Sequence, residues 1–358
     1  MAREVQPYKA LAGYSDKLDP VIAHVYDSFA AQLPQHSRLA SWALEQGKSY
    51  TLRPSKRVRG SLAAAAYDQA TDQKYSEAGL RLGAAIEIVQ NYLLIVDDVI
   101  DRSATRRGLP SIHKLYQEFS GSSEREADMM AILVGELQGQ LVNYTIASIE
   151  GVSDGSKLTI MKMLARDLTI TDLAQMDDIW QQFGIRDIGE EELIRKYEQK
   201  SSYYSFVNPL VCGLVLADKD AEVARKEAEL FGLPAGIAFQ LRDDYLGVFG
   251  DMNQTGKPTL DDLREGKYTL MVHLAANSAS DEQRTILGSV LGNVDANEAE
   301  LLQFQQILTR TGAVDAALQR AESYKEAATT AARAATGWSS EFGEILAGLV
   351  EFSVRRTA

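Results

Sequence analysis

The chain has 358 residues, 45% hydrophobic and 24% charged, with a formal net charge of -13. That length allows two domains or one large one, and the apolar fraction is ample for a sizeable core. The acidic balance excludes nucleic acid as a general partner, because phosphate backbones select basic surfaces. Any site for a phosphorylated substrate must then be a local island of basic residues or metal.

The first 20 residues contain no apolar run of signal-peptide type. Only 8 prolines occur, and the stretches between them are rich in Ala, Leu, Glu, Gln, Arg and Lys, all good helix formers. Residues 78–101 read as one long helix, apolar almost all round and therefore buried on most faces. Residues 158–181, 191–217 and 221–249 are predicted helices, as is the Ala-rich stretch 315–336. Turn chemistry breaks the chain at 119–125, 150–156, 250–258 and 277–282. There is no alternating pattern of useful length, no internal repeat and no composition shift. The expectation is an all-α, single-domain bundle over residues 1–358, with roughly ten or more helices. No run reaches the roughly 18 apolar residues of a membrane span, so no transmembrane segment and a cytoplasmic location are expected. The single cysteine, Cys212, has no disulfide or zinc companion and reads as a small buried residue.

Two groups of carboxylates do not belong in such a core. The helix over 78–101 ends in Asp97, Asp98 and Asp101, which fall within about 100° of one another on the helical wheel, with Gln90 among them. The pattern returns in 236–250, where Gln240, Asp243, Asp244 and Gly247 are spaced three or four apart on one face. Two carboxylates about 4 Å apart repel by roughly 4 kcal/mol at an effective dielectric near 20. Five facing each other need cations. Oxygen ligands with no His or Cys nearby select a hard ion, Mg²⁺ first. Asp177–Asp178 and Asp261–Asp262 lack apolar flanks of that kind and read as solvated pairs.

Basic residues gather beside the acidic ones. Arg102, Arg106 and Arg107 follow the first cluster, Lys56-Arg57-Val58-Arg59 precedes it, and Lys200, Lys257 and Lys267 lie downstream. In an acidic protein this predicts a metal–diphosphate site, with metal bridging carboxylate to phosphate and Arg/Lys neutralising the remainder. No GxxxxGK[ST], GxGxxG or GxSxG arrangement competes. The four histidines (His24, His36, His113, His273) show no metal spacing.

These residues resemble the trans-isoprenyl diphosphate synthases, or polyprenyl synthetases. DDVID at 97–101 is similar to the first aspartate-rich motif of that family and FQLRDDYLGVFGD at 239–251 to the second. RRGLPSIH at 106–113, SKRVRG at 55–60 and KSSYYSFVNPL at 200–210 also match at family spacing, and the likeness runs from about 50 to 275. It implies helices around a central cavity, a homodimer, and condensation of isopentenyl diphosphate with an allylic diphosphate. Asp97 and Asp101 would bind two Mg²⁺ ions supported by Asp98, and Asp243 a third helped by Asp244. Arg106, Lys200 and Lys257 would hold the allylic diphosphate, with Lys267 nearby. Lys56, Arg59, Gln90 and Arg107 would hold isopentenyl diphosphate. Ser201 and Gln240 would steady the carbocation or the leaving group.

The family places the floor of its product pocket four, five and eight residues before the first Asp, here Leu93, Tyr92 and Val89. One bulky residue there, with no two-residue insertion inside DDVID, resembles bacterial (actinobacterial-type) geranylgeranyl diphosphate synthases and implies a C20 product, with C15 next and a longer polyprenyl chain as the other alternative. Some positions depart from the pattern: Gly247 stands where many members have Asp, Ser55 and Gly60 where Gly and Pro are customary, Ser201 for Thr, and Glu136 for Asp. A terpene cyclase would need an Asn/Ser/Glu triad in place of the second Asp pair. A non-catalytic partner subunit would lack aspartates or basic residues that survive here.

Overall fold

The computed structural model describes residues 7–34, 37–182, 188–250 and 259–355. Among them the chain is helical apart from one two-residue hairpin. In chain order the elements are α1 (Pro7–Ala30), α2 (Arg38–Thr51), α3 (Val58–Thr71), α4 (Glu77–Ile100), β1 (Thr105–Arg106), β2 (Leu109–Pro110), α5 (Ile112–Ser120), α6 (Glu124–Ala147), α7 (Asp154–Gln182), α8 (Glu190–Tyr197), a π-helix (Glu198–Val207) and α9 (Asn208–Leu216). They continue with α10 (Ala221–Phe249), α11 (Thr259–Arg264), α12 (Leu270–Ser278), α13 (Asp281–Val290), α14 (Glu298–Arg310), α15 (Ala313–Ala334) and α16 (Ser340–Arg355). The backbone divides into two compact units, one of Lys9–Leu164 and Asn208–Arg225, the other of Met1–Tyr8, Ala165–Val207 and Lys226–Ala358.

In the first unit α3 packs between α4 and α9, because its buried side chains are small. Ala63, Ala64 and Ala66 are fully buried. A Cβ on Gly60 would stand 2.5 Å from the carbonyl oxygen of Gly83, and one on Gly213 2.6 Å from that of Ala63. Real side chains do not fit such spaces, so the sequence keeps glycine where backbones meet. Ser76 caps α4 by accepting the Gly79 N–H, one of the donors a helix start leaves unsatisfied. By length and composition α4 is able to cross a membrane, contrary to the hydropathy expectation, but 72% of its apolar window is buried inside the protein. After α4 the chain turns through the β1–β2 hairpin. Its loop residues Arg107 and Gly108 both have positive φ, as a tight turn matched to strand twist requires.

The second unit has its own core, with Leu270, Leu287, Phe304 and Leu308 fully or almost fully buried. The continuous helix expected over 191–217 is instead α8, the π-helix and α9. Pro209 has no N–H to donate back to the preceding turn, so α-helical bonding cannot run through that point. A Cβ on Gly236 of α10 would overlap Ser202, so α10 and the π-helix touch backbone to backbone. Ser202 Oγ also donates to the Leu233 carbonyl at 3.0 Å. A π segment widens the helix and re-aims its side chains, which is why such segments recur at functional sites. This one carries Lys200 and Ser201.

Candidate active site

In the first unit the last turn of α4 presents its aspartates unequally. Asp98 is 1% exposed. Its Oδ2 accepts from the Tyr50 hydroxyl at 2.7 Å, and its Oδ1 accepts from Arg106 Nε at 2.7 Å. Arg106 Nη2 lies 2.5 Å from Asp98 and 3.3 Å from Asp97. Burial alone would lower the Arg106 pKa, but Asp98 and Asp97 raise it above the ordinary guanidinium value. Burial, then Asp98, pushes the Tyr50 phenol up in turn. Asp97 and Asp101, one turn apart, are only half-buried. The wheel placed all three on one face, whereas the structure locks Asp98 and leaves the flanking pair more open.

The basic loop before α3 alternates. Arg53 and Arg57 are buried, Lys56 is exposed and Arg59 is half-buried. Arg57 has φ 49° and ψ 34°, the left-handed region that costs a residue with a Cβ about 1–2 kcal/mol. Its guanidinium compensates through three partners: Asp19 at 2.8 Å, Glu87 at 3.5 Å and the Arg53 carbonyl at 3.2 Å. The same carbonyl accepts from Arg107 Nη1 at 3.4 Å. Arg107 therefore joins the loop of Lys56 and Arg59. Burial, and after it Arg57, lowers the pKa of Arg107. Gln90 is buried with its Oε1 unsatisfied. Sequence reasoning assigned no role to Tyr50, Arg53 or Glu87; a lone acid in the apolar run of α4 was the available signal for Glu87.

In the second unit Asp244 is the buried member of its pair and Asp243 the more open one. Asp244 accepts from Tyr197 Oη at 2.5 Å and from Gln240 Nε2 at 2.8 Å, while Gln240 Oε1 accepts from Ser201 Oγ at 2.6 Å. Burial raises the Asp244 carboxyl to about 6 against the opposing pull of the Tyr197 and Gln240 hydrogen bonds. Two sequence expectations are corrected. Asp178 is not solvated: it is buried and pairs with Lys196 at 2.9 Å and with Lys200. The side chain of Asp262 is only one-fifth exposed and pairs with Lys267 at 2.8 Å; Lys267 also reaches Glu265 at 2.6 Å. Both pairs look exposed along the sequence because their cations come from other turns. The carboxylate of Asp262 occupies the place a Cβ on Gly247 would need. A carboxylate therefore stands beside position 247 without coming from it. Lys257 lies outside the described residues.

Among the described residues no group of three or more His, Cys, Asp or Glu side chains is arranged to cage a metal. The donor set still fits Mg²⁺. Half-open oxygen ligands in ones and twos match an ion that keeps its waters and completes its shell with substrate phosphate.

The sequence matches the polyprenyl synthetase family over residues 41–308. It is 29% identical to a geranylgeranyl diphosphate synthase of Saccharolobus solfataricus, over 78% of this chain and 80% of that one. It is 30% identical to a short chain isoprenyl diphosphate synthase of Methanothermobacter thermautotrophicus, over 73% of this chain and 74% of that one. The fold superposes, at a TM-score of 0.88 and 26% identity, on a geranylgeranyl pyrophosphate synthase of Corynebacterium glutamicum solved with isoprenyl diphosphate and magnesium, covering 97% of this chain and 99% of that one. Helical architecture and sequence together define the class, a trans-prenyltransferase. The chain belongs to the polyprenyl synthetase family.

Proposed function

We propose that this protein is a Mg²⁺-dependent geranylgeranyl diphosphate synthase, acting as a homodimer in which residues 1–358 work as one polyprenyl synthetase domain. The family match at 41–308 runs through both compact units, which supports the single functional domain. The observation that carries the reading is the turn 97–101 of α4, where Asp98 is tied down by Tyr50 and Arg106 while Asp97 and Asp101 stay half-open. Asp97 and Asp101 then hold two ions and Asp243 a third, with Asp98, Asp244 and Asp262 supporting. Mg²⁺ held by these carboxylates would supply positive charge that offsets the charge of the leaving group.

Arg106, Lys200, Lys257 and Lys267 serve the allylic diphosphate, and Lys56, Arg59, Gln90 and Arg107 serve isopentenyl diphosphate. Ser201 and Gln240, joined at 2.6 Å, steady the carbocation or the leaving group. The allylic C–O bond ionises, the isopentenyl double bond attacks the cation, and the departing diphosphate takes the proton. The protein contributes orientation and fixed charge, not a nucleophile. The homodimer is supported by an exposed apolar stripe on α6, formed by Met129, Ile132, Leu133 and Leu137 at spacings of three and four.

Labelled isopentenyl diphosphate, incubated with each allylic starter and Mg²⁺, is expected to give a C20 product, and EDTA to abolish it. Asp97→Ala and Asp243→Ala are expected to lose orders of magnitude in rate with their helical circular dichroism intact. Full activity in EDTA would sink the proposal.

A further inference from the structure

We infer that Glu87, through Arg57, is a positioning residue for isopentenyl diphosphate: the pair fixes the loop that carries Lys56 and Arg59. Glu87 is buried in the middle of α4 and its two oxygens reach different parts of that loop. Oε2 lies 3.5 Å from Arg57 Nη1, and Oε1 accepts the Gly60 N–H at 2.8 Å. Gly60 is in the first turn of α3, whose opening amides have no partner within the helix. Arg57, at the cap position, offers no side-chain hydrogen bond to them. A carboxylate from α4 therefore does the capping and also holds the cap residue's guanidinium.

The backbone of Arg57 adopts a conformation that residues with a Cβ avoid. Such a residue persists where its surroundings over-determine it, and those places cluster at functional sites. Between the exposed Lys56 and the half-buried Arg59, the left-handed turn sends Arg57 inward. Arg53 completes the device, since its carbonyl receives both Arg57 and Arg107. Three basic residues of the proposed isopentenyl diphosphate site are thus tied to one buried carboxylate that never needs to touch the ligand. Gly60 contributes an N–H that proline could not, and its missing Cβ leaves room for Glu87 Cγ, which would lie 2.6 Å from such an atom.

This inference rests on the assignment of Lys56, Arg59 and Arg107 to isopentenyl diphosphate, so the experiment separates the two. Initial rates are measured with both substrates varied for Lys56→Ala, Glu87→Gln and Arg57→Lys, alongside circular dichroism. Glu87→Gln keeps an oxygen for the Gly60 N–H but loses the charge that holds Arg57. It and Arg57→Lys are expected to raise KM for isopentenyl diphosphate about tenfold, leaving KM for the allylic substrate within about twofold. A purely structural role would move both or neither. If Lys56→Ala leaves KM for isopentenyl diphosphate unchanged, the assignment falls and the inference with it. If Lys56→Ala raises that KM while Glu87→Gln and Arg57→Lys do not, the assignment stands and the positioning role is overturned. Should Glu87→Gln fail to fold, Arg57→Lys decides, because it keeps the charge but gives up the guanidinium reach to Glu87 and the Arg53 carbonyl. A selective rise in the same KM supports the inference, and no change overturns it.

Discussion

Lys200 and Asp178 show how much a single pairing changes a residue's meaning. Taken alone, Lys200 is a cation available to a phosphate. In the structure it shares Asp178 with Lys196. Burial favours the neutral acid, but Lys200 and Lys196 outweigh it and hold the Asp178 carboxyl well below the ordinary carboxylate range. A carboxyl depressed in the folded state stabilises the fold above its unfolded value, 3.8, and loses that contribution as pH falls toward the folded value. Asp178→Asn, which leaves Lys196 buried without its carboxylate, should cost about 3 kcal/mol at neutral pH. Urea unfolding of both proteins at pH 7, 5 and 3.5 checks this: the gap should hold at the first two and narrow at the last. A gap independent of pH would mean that the pair is not the source. The sequence placed Asp178 on the surface because its partners lie 18 and 22 residues away.

At the scale of the element, α4 carries most of what is specific to this protein. Its C-terminal turn holds the aspartates, its middle holds Glu87 and Gln90, and its other face meets α6. Tyr92 stands on that side, with Cδ2 3.7 Å from where a Cβ of Gly135 would be. Val89 is buried and Leu93 half-buried. On the helical wheel Tyr92 points away from the aspartates, and a Cβ at Gly135 would crowd Val96 at 3.2 Å before it met the Tyr92 ring. If Tyr92 closes the product pocket, Tyr92→Ala should lengthen the main product beyond C20, read by chromatography of the dephosphorylated prenols. Unchanged length in that variant, with a shift on substitution of Val89 or Leu93, would place the floor elsewhere. The π-helix is the contrasting element: apolar spacing in 191–217 does not separate a short π segment from an α-helix, and Pro209 just after it is the local sign of a break.

For the whole molecule, assembly is the property most open to test. The stripe of Met129, Ile132, Leu133 and Leu137 has Glu136 and Gln140 within it, joined at 2.8 Å. Exposed apolar side chains grouped in this way on one helix support the proposed homodimer. Light scattering should give twice the chain mass of 39.3 kDa, and Leu133→Asp should lower it to the monomer. A wild-type mass of 39.3 kDa under assay conditions would remove the homodimer from the proposal.

The helical class, the borders of the long helices at 78–101 and 221–249 and the two aspartate clusters were all legible without coordinates. So was membership of the family, through motifs at the right spacing. These features are local: helix periodicity and the cost of burying a bare carboxylate are written in neighbouring residues. Tertiary structure alone decided which charge meets which. It set Arg106 against Asp98, Arg57 against Glu87 and Lys200 against Asp178, and it filled the gap at Gly247 with Asp262. The physical reason is that Coulomb energy depends on distance in space and on the surrounding dielectric, and neither is encoded in separation along the chain.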